Sequence, residues 1–165
     1  MPELLQAQVK SIGEHYVVAR LTALGFIVGL APENTKAVDI IAMSDDGKKN
    51  FQIQVKTRTE GRAADNGWMM DEKHESIITD NLYYIFVTLL ERWADSNQPI
   101  TFIMPSKKVA MILKQSHKDW KSSPGRRGQM RNDTRMRRIK PVYPDSPSIL
   151  SNWMEEYQDN WNVLR

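Results

Sequence analysis

Two carboxylates, an amide and a lysine are the side chains best suited to chemistry in this sequence: Glu14, Asp39, Gln54 and Lys56. Asp39 interrupts the apolar run AVDIIAM at 37–43. A charge there is costly unless it is paired, solvated or bound to a cation. Gln54 and Lys56 belong to QIQVKTR at 52–58, in which Gln52, Gln54, Lys56 and Arg58 alternate with Ile53, Val55 and Thr57. Such alternation marks a β-strand, and residues two apart share a face. If the two strands are neighbours, Asp39, Gln54 and Lys56 converge, and Glu14 can join them from a preceding helix. Carboxylate and amide oxygens suit a hard cation such as Mg²⁺, which polarises a phosphoryl oxygen. A lysine alongside can orient water or offset developing negative charge. The same spacing also fits a salt-bridged patch of Asp39 and Lys56 on an exposed sheet face.

Several elements must position these residues. Residues 3–24 read as a helix that stops before Gly25, with Val17, Leu21 and Leu24 on its inward stripe and Glu14 at the edge of that stripe. Three strands follow, at 26–31, 37–43 and 51–57, and DDG at 45–47 supplies a turn between the last two. They form an antiparallel meander. Residues 60–77 read as a loop with a short helix near 71–77. Trp68, Met69 and Met70 within it suit core packing or a cover over the site. LYYIFVTLL at 82–90 reads as a strand buried on both faces, and ITFIMP at 100–105 as the next strand. Ser106 is expected to cap a helix through Val109, Ile112 and Leu113. SSPG at 122–125 breaks the basic segment that follows. Trp153, Tyr157 and Trp161, four apart, predict a C-terminal helix over 146–164. The expected architecture is α/β, a mixed sheet flanked by helices, in one domain over 1–165: a core at about 3–115, a basic segment at 117–141 and the C-terminal helix.

The formal net charge of +3 conceals an asymmetry. Residues 118–140 carry nine Lys/Arg against two Asp, a local +7, so the remainder is acidic. This points to a polyanionic partner, with a solvated loop as the plain alternative. Six guanidiniums, Arg126, Arg127, Arg131, Arg135, Arg137 and Arg138, suit bidentate contacts to phosphate. Trp120 is either a base-stacking platform or a packing anchor. His15 and His117 read as surface or capping residues. The absence of cysteine excludes disulfides and thiolate metal sites. The N-terminus lacks the pattern of a signal peptide, and no apolar stretch approaches bilayer length, so a soluble, cytoplasmic protein with no membrane partner is expected.

The runs GEHYVVARLTALGF, AVDIIAM and FQIQVKTR together resemble the PD-(D/E)xK nuclease superfamily, also called restriction-endonuclease-like. Its pattern is an acid in the first helix, an aspartate in the second strand and (D/E/Q)xK in the third. Glu14, Asp39 and Gln54-Val55-Lys56 match in order, over a resemblance that covers about residues 10–115. It implies an αβββαβ core and a Mg²⁺ ion, replaceable by Mn²⁺, held by Asp39, Gln54, the Val55 carbonyl and Glu14. The catalytic set it implies is Glu14, Asp39, Gln54 and Lys56, performing phosphodiester hydrolysis on nucleic acid, DNA ahead of RNA. Arg58 joins the six arginines as a nucleic-acid contact. A homodimer is among the assemblies the resemblance allows. Gln54 departs from the commoner acid and removes one anionic ligand, which leaves an inactive binding or adaptor domain as the alternative.

Overall fold

The computed structural model describes residues 4–32, 35, 37–60, 67–90, 98–125, 127–144 and 146–165. Helix α1 spans Gln6–Ala23. Strands β1 (Ile27–Leu30), β2 (Ile40–Met43) and β3 (Asn50–Thr59) form the expected antiparallel meander. The chain then crosses over to β5 (Leu82–Leu89), which runs parallel to β3, and turns back antiparallel as β6 (Ile100–Pro105). The five strands make one mixed sheet in the order β1-β2-β3-β5-β6.

Helix α1 covers one face of this sheet. Val17 and Leu21 pack there against Ile40, Ile53, Val55, Ile85 and Val87. Helix α2 (Ser106–Ser122) covers the other, placing Val109, Ile112 and Leu113 on Tyr84, Phe86 and Met104. Strand β5 lies between two covered faces and is buried for nearly its whole length, as its unbroken apolar run requires. Among the described residues no helix is long and apolar enough to cross a membrane.

The crossover from β3 to β5 keeps the expected short helix, as a 3₁₀ turn, and replaces part of the expected loop with a strand. It contains β4 (Trp68–Asp71) and a 3₁₀ turn at Glu72–Glu75. Strand β4 pairs antiparallel with β7 (Met136–Ile139), which arises inside the basic segment. The resulting two-stranded ribbon alternates by face. Trp68, Met70, Arg137 and Ile139 point inward, and Met69 and Met136 point to solvent. The Trp68 indole N–H donates to the Val87 carbonyl at 3.1 Å, fastening the ribbon to the sheet.

Two further details correct the sequence reading. Residues 146–164 do not form one α-helix. They form turns and two short 3₁₀ segments, Glu155–Tyr157 and Trp161–Leu164. Asp159 adopts φ 48°, and its carboxylate accepts from the Thr101 N–H at 3.1 Å and the Thr101 hydroxyl at 2.7 Å. That anchor lays the segment along the free edge of β6, an edge that would otherwise expose unpaired backbone groups. Ser106 is the first residue of α2 and not its cap. Its hydroxyl exchanges hydrogen bonds with the Thr79 backbone, at 3.0 and 2.8 Å.

Gly13 lies where α1 crosses β3. A Cβ there would fall 1.8 Å from Thr57 Oγ1 and 2.8 Å from Thr57 Cβ. The missing side chain lets helix and strand touch, and the next residue of the helix is Glu14.

Candidate functional site

Asp39 lies one residue before β2 and is held by its backbone on both sides. Its N–H donates to the Ile53 carbonyl and its carbonyl accepts from the Ala31 N–H, both at 2.8 Å. The antiparallel register that pairs Ile40 with Ile53 puts Asp39 beside Gln54. Its Oδ2 accepts from the Val55 N–H at 2.8 Å and from the Gln54 side-chain amide. Asp39, Gln54 and Val55 are thus in direct contact.

Lys56 is two residues farther along β3, on the face that carries Gln54. Burial pushes its ammonium below the usual lysine range, and Lys73 and Lys10 push the same way. Asp39 and Glu14 oppose that shift, so both carboxylates lie within electrostatic reach of the lysine. Glu14 has Lys10 as its direct partner, at 3.4 Å, and its side chain is 16% exposed. It lies within electrostatic reach of Lys56 and makes no described hydrogen bond with Asp39. Among the described ion pairs none joins Asp39 to Lys56, which disfavours the salt-bridged patch. Around Gln54 the sheet face is not an open one either. Gln54 is 8% exposed, and the Arg58 guanidinium stacks over Trp68 at 4.1 Å while its Nε donates to Thr88 Oγ1. Along the polar stripe of QIQVKTR, Gln52 is exposed, Gln54 is buried, and Lys56 and Arg58 are half-buried.

His74 was not legible as part of this neighbourhood. It follows β4 in the 3₁₀ turn, is 3% exposed, and its Nδ1 hydrogen-bonds the Tyr84 hydroxyl at 2.8 Å. Tyr84 is the register partner of Gln54 on β5. Burial, then the charges of Lys56 and Lys73, hold the His74 imidazole down to about 4. Burial pushes the Tyr84 phenol up. A lone histidine in a loop-like stretch carries no periodic signal, and only its packing reveals it.

The His74 environment predicts a pH effect. The unfolded chain takes up this proton first, near the ordinary 6.5, so the stability due to the neutral ring is complete above that pH. It is lost as pH falls toward 4, by up to about 3 kcal/mol. Urea denaturation at neutral pH and near pH 4.5 should show this acid loss in the wild type and a smaller one in His74→Gln.

The expected phosphate-binding arginines divide. Arg137 is 7% exposed and ion-paired with Glu75, and its guanidinium also donates to the Thr134 and Met136 carbonyls. It holds the ribbon together from inside, and Arg58 is likewise engaged within the protein. Both guanidiniums make contacts inside the protein, Arg137 buried against a carboxylate and Arg58 half-buried against a ring. Arg135 is 76% exposed while bridging Asp71 at 3.4 Å and Glu72 at 3.1 Å. Arg131 donates to the Pro124 carbonyl and lies over Trp120 at 4.9 Å. Arg127 is exposed, and Arg138 is half-buried on the outer side of the ribbon, opposite Met69. Arg126 lies outside the described residues.

With this geometry in place, comparison of folds is informative. The fold is shared with a bacterial homing endonuclease. That solved structure, of I-Ssp6803I, superimposes with a TM-score of 0.51 at 10% identity, over 96% of this chain and 91% of the other. The likeness therefore spans the mixed sheet, both helices and the ribbon region, and at that identity it speaks for the fold alone. No protein-family model matches the chain, and no curated protein matches it in sequence.

Proposed function

We propose that the chain is a metal-dependent nuclease of the PD-(D/E)xK kind with a QxK third strand, acting on nucleic acid, DNA ahead of RNA. The observation that carries this reading is the contact of Asp39 with Gln54 and Val55, with Lys56 two residues along the same face. It occurs in a fold that a homing endonuclease shares.

The donor set suits a hard divalent cation. Asp39 and Glu14 supply carboxylates, and the Gln54 side chain and the Val55 backbone supply neutral oxygens. The Gln54 amide presents its nitrogen to Asp39. A half-turn of the amide would set its oxygen beside the carboxylate, where a cation held by both groups would offset the repulsion between the oxygens. Bound there, Mg²⁺ supplies Lewis-acid polarisation of the scissile phosphoryl group. The chain supplies the rest. The Val55 N–H fixes the Asp39 carboxylate, and Glu14 follows Gly13 at the close packing of α1 on β3. Lys56 places a positive charge and N–H donors where negative charge develops on the phosphate, in a setting dry enough to strengthen their effect.

One observation favours a second reading, a domain of this fold that binds nucleic acid without cleaving it. Asp39 Oδ2 already accepts two hydrogen bonds within the protein. Calorimetric titration with Mg²⁺ and Mn²⁺, paired with a cleavage assay on duplex DNA, separates the two. Ion binding and cleavage in the wild type, both lost in Asp39→Asn, are expected. Salt-sensitive binding of DNA with neither ion uptake nor cleavage establishes the second reading instead.

A further inference from the structure

Away from the acid–amide–lysine cluster, a cavity of about 210 Å³ opens between the C-terminal half of α2, strand β7 and the turn after it. Glu14, Asp39, Gln54 and Lys56 do not line it. Its walls include His117, Trp120, Thr134, Arg138, Lys140 and Tyr143. We propose that this cavity receives a single nucleobase, swung out of the strand whose phosphates the basic segment holds. The proposal rests on the nucleic-acid part of the function proposed above.

The walls are flat and aromatic where a base would lie. The His117 and Trp120 rings stack 25° from parallel with centroids 5.3 Å apart. Aromatic surfaces of this kind accept any base, because every base has a π-face. The walls are also built in advance. The Tyr143 hydroxyl donates to the Arg138 carbonyl at 2.7 Å and accepts from the Lys140 N–H at 3.0 Å. Asp119 on α2 accepts from the Ser146 and Ser148 hydroxyls, which ties the following turn to the helix. Asp133 accepts from Lys121 at 2.7 Å and shares a 2.8 Å hydrogen bond with His117 Nε2. These wall groups satisfy one another, and the Trp120 ring already has His117 and Arg131 against it, so a base stacks there by displacing the Arg131 guanidinium toward the attached phosphate.

The rim sets the charge of the ligand. Arg138 and Lys140 belong to the +7 stretch, and Arg131 lies against Trp120. A planar ring system attached to an anion matches ring walls with a cationic rim. Inorganic phosphate would leave the rings unused. The volume is below the roughly 300–1,000 Å³ of drug-sized sites, which suits one base and not a stacked pair.

Thr134 is exposed and lines the mouth, so Thr134→Trp plugs the cavity from its solvent side. Met136, 48% exposed on the same wall, gives a second plug as Met136→Trp should the first variant misfold. The probes are adenosine monophosphate, inorganic phosphate, a single-stranded DNA oligonucleotide and an abasic strand of equal length. All are used with EDTA, so that cleavage plays no part. Adenosine monophosphate, and not phosphate, is expected to shift the Trp120 indole N–H resonance in the wild type. A plugged variant should lose that shift and bind the intact oligonucleotide about tenfold more weakly. The abasic strand should bind wild type and plugged variant alike. An unmoved Trp120 resonance, or equal affinity of a folded plugged variant for the intact strand, overturns the pocket. Failure of the wild type to bind either strand overturns the nucleic-acid reading itself.

Discussion

Lys56→Ala should lower cleavage about 10²- to 10³-fold, the usual cost of removing one donor aimed at transition-state charge. Divalent-ion binding should persist, because the oxygen donors at Asp39, Gln54, Val55 and Glu14 are untouched. Folding should persist as well. The ammonium sits in surroundings that push its pKa down, so its loss relieves a desolvation cost while removing the attraction of Asp39 and Glu14. A catalytic role in the protonated form also fixes the sign of a pH effect. Activity that needs Lys56 charged must decline on the alkaline side at a lower pH than an ordinary lysine would allow. Cleavage kinetics, ion calorimetry and thermal melts on the same preparation provide the check. A variant that cleaves as fast as the wild type removes Lys56 from the mechanism, and one that fails to bind the ion assigns it a structural role.

The second large effect belongs to a residue with no side chain. Gly13→Ala should lower stability by at least about 2 kcal/mol, or about 4–8 °C in melting temperature for a chain of this size. Alanine ordinarily stabilises a helix interior by about 1 kcal/mol relative to glycine. Here its Cβ would stand 1.8 Å from Thr57 Oγ1, far inside van der Waals contact, so α1 must lift from β3. Lifting it also unpacks Val17 and Leu21 and displaces Glu14. Adding Thr57→Ala should restore part of the loss, since it deletes Oγ1 and Cγ2 but leaves the Cβ of residue 57 at 2.8 Å from the new methyl group. Alone it should be nearly neutral, because the Thr57 hydroxyl is buried with no hydrogen-bond partner among the described residues. Denaturant melts of both single variants and the double variant form the cycle. A Gly13→Ala protein as stable as the wild type would contradict this account of the crossing.

The contrast between these two residues shows what periodicity can and cannot report. Alternation in QIQVKTR and the stripe of Val17 and Leu21 are local signals, so β3 and α1 were readable, and with them the meeting of Asp39 and Gln54. The C-terminal aromatics imitated a helix because Trp153, Tyr157 and Trp161 recur every four residues. In the structure they serve two different clusters across the β6 edge, and Asp159 at φ 48° interrupts any helix between them. The ribbon was hidden for another reason. Its strands have four residues each, and β7 directs a charged residue, Arg137, inward. An inward arginine defeats an apolar pattern, and its partner Glu75 is far away in sequence. Gly13 and His74 matter only through what packs on them, which no single stretch of sequence records.

The pairing of Trp68 with Ile139 across the ribbon has a consequence for the order in which the chain folds. Between these partners lie β5, β6 and the whole of α2. Closing so long a loop costs entropy before any hydrogen bond of the ribbon repays it, so hairpins and helices with near neighbours form ahead of it. The ribbon is therefore a late element, assembled on a sheet that already exists. Until it closes, residues 123–140 carry seven Lys and Arg against one Asp as a cationic stretch, not yet paired into a strand, that attracts polyanions without regard to shape. After it closes, Arg135 and Arg138 occupy set positions on the ribbon, and the nucleic acid proposed as the partner would meet a fixed pattern of charge.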